Sequence, residues 1–154
     1  MTPLERRRLI RYAALVLVLL VAGGVGYAYL SYVAEHSRGP DGLPDHRAVR
    51  ASDLWPRPVA KLYYPGSTVV DTSQSDQSDD PNNPASPPAR VETLLSATAD
   101  PAMLRAWYQQ ALASNGFSTS PSADLEWRRG TREYFDLRID AQAKQYRVVY
   151  QVTR

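Results

Sequence analysis

Residues Tyr12–Val33 form a run of 22 without a charged side chain, preceded by Glu5-Arg6-Arg7-Arg8 and Arg11. At about 1.5 Å per residue a helix of that length spans roughly 33 Å, enough to cross a hydrocarbon core of about 30 Å. The run therefore predicts a single transmembrane helix, and whatever follows it must fold separately. A cleavable signal peptide has an apolar stretch of about 7–15 residues with a small-x-small exit. This run continues past Ala22 through Tyr27, Tyr29 and Tyr32, so a retained anchor is expected. Arg6, Arg7, Arg8 and Arg11 crowd one flank, whereas the first residues of the other flank carry only Arg38 and Arg47. The positive-inside rule then puts the N-terminus in the cytoplasm and the C-terminal domain on the extracytoplasmic, periplasmic side of the cytoplasmic (inner) membrane.

Inside the span, Ala22-Gly23-Gly24-Val25-Gly26 is a patch of small side chains. Ala22 and Gly26, and again Gly24 and Ala28, stand at small-xxx-small spacing, which lets another helix backbone approach closely. These residues are the expected helix-docking face. Tyr12 at one end and Tyr27, Tyr29 and Tyr32 at the other fit interfacial anchors, because a phenol ring is apolar in body and polar at its tip.

The net charge of +2 is not a property of the soluble part. Of the 18 Lys and Arg and 16 Asp and Glu, residues 1–33 hold four Arg and one Glu, which leaves 14 basic and 15 acidic side chains beyond. That balance offers no electrostatic grip on nucleic acid. The chain has no Cys, so disulfides, thiolate metal sites and covalent haem attachment are excluded.

The organisation expected along the chain is a basic cytoplasmic tail over 1–11, the transmembrane helix over 12–33, an extended linker over 34–58 and an α+β domain over 59–154. The linker is inferred from Gly39-Pro40, Gly42, Pro44, Pro56 and Pro58 among charged residues without periodicity. It holds both histidines. His36 at the membrane boundary has the chemistry to ligate a tetrapyrrole metal, but a lone His in a linker, here His36 or His46, is ordinarily solvated.

Leu62-Tyr63-Tyr64, the turn Pro65-Gly66 and Ser67–Asp71 read as two extended pieces meeting at a turn. A Ser-, Asp-, Asn- and Pro-rich insert follows over 72–90, too polar to offset its ordering entropy. Its Asp71, Asp76, Asp79 and Asp80 lack the central Gly and closing Glu of a calcium loop. Val91, Thr93, Leu95 and Ala97 alternate as a strand. Asp100 and Pro101 then open a helix as N-cap and first residue, with Leu104, Trp107, Tyr108, Ala111 and Leu112 on one stripe and Asn115-Gly116 as its end. Leu125 and Trp127, then Phe135, Leu137 and Ile139, then Tyr146, Val148, Tyr150 and Val152 alternate around turns at Gly130 and Ala141–Lys144. The expected fold class is α+β: a single transmembrane helix followed by a small antiparallel sheet of about five strands, covered by one amphipathic helix.

Tyr64-Pro65-Gly66-Ser67, Ala106-Trp107-Tyr108 and Asn115-Gly116-Phe117, with a Trp127-led hairpin, resemble a membrane-anchored extracytoplasmic domain of Chloroflexi-type bacteria. The resemblance covers roughly 59–154 and implies fold and location without an activity. In general plan the chain is also similar to small single-pass subunits of membrane electron-transfer complexes such as alternative complex III or reaction-centre complexes.

No nucleophile elbow, phosphate loop, HExxH or paired His ligands stand in the sequence, so no enzyme, cofactor or metal site is expected. Glu126, Glu133, Asp136 and Asp140 could serve acid–base work, but their interleaving with Arg128, Arg129, Arg132 and Arg138 fits a solvated sheet face with opposite charges paired across strands. The functional expectation is a noncatalytic accessory subunit that contacts the lipid bilayer and other membrane-complex subunits. The alternative is a free-standing anchored module that captures an envelope ligand on an aromatic sheet surface.

Overall fold

The computed structural model describes residues 3–45, 47–78, 86–120 and 125–153, with side chains from residue 15 onward. The chain divides into two compact units, 1–47 and 48–154.

The first unit is helix α1, Pro3–His36, unbroken through the small-residue patch. Its stretch Leu15–His36 is long and apolar enough to cross a membrane, and none of it is buried within the protein. The helix ends at His36, shortly before Gly39-Pro40, where Pro40 has no N–H to continue a helical ladder. A small turn then closes through the Arg38–Pro44 bridge and the Gly39 N–H, which donates to the Leu43 carbonyl at 2.9 Å.

The second unit is a six-stranded antiparallel sheet in the order β1-β2-β6-β5-β4-β3. The strands are β1 (Thr68–Ser75), β2 (Ala89–Ser96), β3 (Ser118–Thr119), β4 (Glu126–Arg129), β5 (Glu133–Asp140) and β6 (Gln145–Val152). Between β2 and β3 runs helix α3, Pro101–Ser114, with the bounds its capping residues predict. The Asp100 carboxylate accepts from the Met103 N–H at 2.9 Å. At the other end the Phe117 N–H donates to Leu112 O and the Gly116 N–H to Ala113 O, both at 3.0 Å, with Gly116 at φ 79°. That pair of bonds is a Schellman closure and requires the left-handed backbone that glycine adopts without strain.

The expected periodicities set the core. Leu104, Tyr108 and Leu112 of α3 are buried, as are Val91, Thr93 and Leu95 of β2, Phe135 and Leu137 of β5 and Tyr146, Val148, Tyr150 and Val152 of β6. Register puts them on one face: Leu137 opposes Val148, and Val148 opposes Thr93. The sheet has six strands rather than about five, because Ser118–Thr119 pairs briefly with Arg128 and Trp127.

Two expectations about connections change. The stretch 48–58, read as linker, belongs to the second unit and lines its core: Ala48, Val49, Ala51 and Leu54 are buried, continuous with buried Val59 and Ala60 at the expected start of the domain. It contains the short helix α2, Ala51–Leu54, which packs on β2, and a 3₁₀ turn at Pro58–Lys61. This strap continues through Leu62–Tyr64, which forms no strand. Its backbone is held by tyrosines of the core instead: Tyr108 Oη donates to Leu62 O at 2.9 Å and the Tyr64 N–H donates to Tyr146 Oη at 3.2 Å. Burying Val49, Leu54 and Val59 is worth about 1.5–3 kcal/mol each, so the strap is a structural layer. The polar insert is also shorter than 72–90, since β1 runs on to Ser75 and β2 starts at Ala89. Every residue of β1 is exposed, and the strand holds by its backbone ladder to β2 with a bulge between Val69 and Asp71.

Candidate functional site

On α1, Ala22, Gly23, Gly24, Gly26 and Ala28 are exposed, and a Cβ added at Gly23, Gly24 or Gly26 would meet nothing within 4 Å. Because the helix is continuous, each residue turns it by about 100°. Ala22 and Gly26 thus lie about 40° apart, while Gly24 and Ala28 lie about 200° from them. The small residues form two clefts on opposite sides of the helix rather than one face. Tyr27, Tyr29 and Tyr32 are all more than half exposed. Tyr32 stacks on His36 with centroids 4.1 Å apart, and His36 Nδ1 donates to Tyr32 O at 2.9 Å, a local helix-end cap. Arg6, Arg7, Arg8, Arg11 and Tyr12 lie on the helix, but their side chains fall outside the described residues, as do His46, Asp79 and Asp80.

In the second unit the aromatic rings are spent on the core. Tyr108 sits against Phe135 and Tyr146 at 5.7 and 5.9 Å, and Trp127 meets Phe135 at 6.3 Å. Among the described residues the open face of the sheet carries one aromatic ring, Tyr134, and the Arg128 guanidinium lies over it at 5.0 Å.

Of the four candidate acid–base carboxylates, Glu133 does not belong on the outer face. It is in phase with Phe135 and Leu137 and lies 4% exposed on the core side. Arg129 holds it with two bonds, Nε to Oε1 at 3.0 Å and Nη2 to Oε2 at 2.6 Å, while Tyr150 Oη donates to Oε2 at 2.5 Å. Arg57 from the strap reaches the same carboxylate at 3.3 Å. Arg129 also donates to Asn115 O at the end of α3 and lies over the Phe117 ring at 4.8 Å. The cluster therefore ties strap, helix end and both central strands to one buried anion. Burial, then the hydrogen bond to Glu133, pushes the Tyr150 phenol well above its usual range, and burial does the same to Tyr108. Phenols held protonated and a carboxylate committed to two guanidiniums are poor proton shuttles, so the cluster reads as a structural clamp.

The other three carboxylates share the open face, but not in the expected pairing. Across strands, Glu126 opposes Asp136 and Arg138 opposes Arg147. Opposite charges meet instead along one strand: Arg128 with Glu126 at 3.1 Å and Arg138 with Asp136 at 2.9 Å, while Arg90 pairs with Glu92. One cross-strand exception is Arg147 with Glu92 at 2.6 Å. The result is a row Glu126, Asp136, Val149, Glu92 flanked by a row holding Arg128 and Arg90 and a row holding Arg138 and Arg147. Val149 is 2% exposed despite facing outward, so the long neighbouring side chains cover it. The carboxylates lie lower and the guanidiniums stand up: Glu92 is 12% exposed, whereas Arg138 is 65% and Arg147 44%.

Comparison of the chain with protein-family models, with curated proteins and with solved structures finds no match. Among the described residues, no group of three or more His, Cys, Asp or Glu converges as a metal site would require. Two modest recesses, of about 260 and 220 Å³, flank the β5–β6 turn. The first opens on the charged face beside Arg138 and Arg147, and the second lies at the start of α3.

Proposed function

We propose that this chain is a noncatalytic accessory subunit of an integral membrane complex, of the kind that serves respiratory or photosynthetic electron transfer. In this reading α1 crosses the cytoplasmic membrane with its Arg-rich end in the cytoplasm and packs on neighbouring subunits. The second unit stands on the extracytoplasmic side and extends the contact. The resemblance to membrane-anchored envelope domains of Chloroflexi-type bacteria belongs to the same proposal.

The observation that carries it is the state of Leu15–His36. Its apolar side chains, Leu20 at 68% and Leu30 at 67% exposed among them, are left uncovered by the described residues. Two small-residue clefts then give the helix two sides for close approach. The binding-module reading would want an exposed aromatic sheet surface, whereas Tyr108, Trp127, Phe135, Tyr146 and Tyr150 are buried and the described open face carries Tyr134 alone.

Purification from native membranes in a mild detergent tests the reading. A stoichiometric set of membrane partners is expected, and a chain that runs alone as a monomer refutes it. Replacing Ala22 and Gly26 by Leu, and separately Gly24 and Ala28, identifies the packing side: the pair facing a neighbour lowers incorporation. Protease access from the outside of spheroplasts should remove the second unit and spare the Arg-rich end.

A further inference from the structure

We infer that β1 is a pairing edge for a second copy of this chain, the two strands joining antiparallel about Ser73 so that one sheet runs through both units. The strand lies at one end of the strand order, and all of its residues are exposed. The opposite edge, β3, is two residues long, so the counterpart that the fold offers to β1 is β1 itself. Thr68–Ser75 carries a single charge, Asp71, and neither the Lys nor the Pro that commonly guards an edge.

The alternation of ladder bonds fixes which backbone groups are free. Ala97 N–H donates to Lys144 O at 3.1 Å, so the odd residues of β2 bond β6 and the even ones bond β1. Asp71, Ser73 and Ser75 stand opposite Leu94, Glu92 and Arg90, which leaves Thr72 and Gln74 with N–H and C=O turned outward. The bulge after Val69 bounds this stretch on one side. On the other the strap claims the chain: Gln77 N–H donates to Val49 O at 3.0 Å, and Asp76 Oδ1 accepts from the Ala51 N–H at 2.7 Å. What remains open is Asp71–Ser75, with Ser73 at its midpoint.

That window is complementary to itself. About Ser73, Thr72 meets Gln74 of the second copy and Gln74 meets its Thr72, so each outward N–H and C=O of the pair gains a partner. Asp71 falls opposite Ser75, a carboxylate facing a hydroxyl rather than its like. In the single chain Asp71 Oδ1 holds the Thr72 N–H at 2.8 Å, a bond that Gln74 O of the second copy takes over. Ser73 meets Ser73 as a non-hydrogen-bonded pair, where Cα atoms approach to about 4.5 Å. So short a ladder offsets little of the entropy lost on association in dilute solution. Helix α1 supplies the rest by confining copies to one bilayer, so the inference rests on the membrane-span reading.

The chain has no Cys, so a single introduced thiol reports the contact. Ser73→Cys in the full chain, with membranes of the expressing cells treated by a mild oxidant, should give a disulfide-linked dimer on non-reducing electrophoresis, since the Cα separation suits a disulfide. Asp71→Cys alone should not, because four residues of strand set the two copies of that site about 13 Å apart. Asp71→Cys and Ser75→Cys chains expressed together should cross-link to each other. Gln110→Cys, exposed on α3, measures random collision and should give at least about tenfold less dimer than Ser73→Cys. Ser73 is exposed, so the reduced variant should keep the wild-type circular dichroism, which separates lost pairing from lost fold. A Ser73→Cys chain that stays monomeric, Gln110→Cys cross-linking as readily, or Asp71→Cys linking to itself as well as Ser73→Cys does, would each overturn the assignment. A chain found in the soluble fraction would refute the span and this inference with it, whereas a lack of other copurifying subunits would leave the Ser73 cross-link standing.

Discussion

Removing the Glu133 carboxylate is the most demanding check on the structure, because one side chain serves three others. Its own side chain is 5% exposed, and its partners Arg57 and Arg129 are 17% and 31% exposed. Breaking a buried ion pair from one side costs about 3–5 kcal/mol, because it strands the opposite charge. The partial exposure of Arg129 and its remaining bond to Asn115 O draw the figure toward the lower end. The Tyr150 hydroxyl, which would lose its short bond while buried, adds about 1–3 kcal/mol. Glu133→Ala is therefore expected to cost about 4 kcal/mol, and Glu133→Gln, whose amide oxygen can still accept one bond, about 2 kcal/mol. Tyr150→Phe alone should cost about 1 kcal/mol, and adding it to Glu133→Ala should cost less, since the stranded hydroxyl is then gone. Urea titrations of the full chain in mild detergent, read by tryptophan fluorescence, give these differences as shifts in midpoint at constant slope. A Glu133→Ala variant within about 1 kcal/mol of wild type would refute the reasoning that the cluster is a buried clamp.

Three further outcomes are expected. Tyr108 and Tyr150 keep their protons in the folded chain at pH values where the unfolded chain, with phenols near 10, releases them. The contribution of these two phenols should thus be constant below about pH 10 and fall above it by up to about 2.7 kcal/mol per pH unit, a slope that Tyr108→Phe halves; urea midpoints at pH 9, 10 and 11 measure it. Lys144 is the described non-glycine residue at positive φ, 53°, in an exposed turn, so Lys144→Gly should raise stability by about 0.5 kcal/mol, read from the urea midpoint, and a loss would show the backbone is not strained there. Asp100→Ala deletes the cap of α3 and should cost about 1 kcal/mol, whereas Asp100→Asn should cost little, as thermal melts can compare.

Helix α3 and strands β2, β5 and β6 were legible because their signals are local. A cap followed by proline, a 3.6-residue stripe and period-two alternation over eight residues state both the element and its buried side. Glu133 was legible in principle, since its parity with Phe135 and Leu137 places it on the core face. Its charge argued for the surface, and only Arg57, Arg129 and Tyr150, far apart in sequence or on other strands, make its burial tolerable.

The strap was not legible, and neither was β1 beyond Asp71. Val49, Leu54 and Val59 follow no period, because an irregular segment buries residues wherever the sheet happens to receive them. Thr72–Ser75 is polar on both sides because an edge strand with exposed faces needs only backbone partners.

By itself the sequence determined the apolar helix, its small-residue patch, the α+β class and the ends of α3, all properties of neighbours in the chain. The tertiary structure alone decided that the described residues leave the small residues uncovered, that the strap completes the core, and that Arg138 stands opposite Arg147. The strap depends on packing between segments tens of residues apart, and the arginine pair on strand register, where a one-residue slip of either strand would move its side chains to the other face.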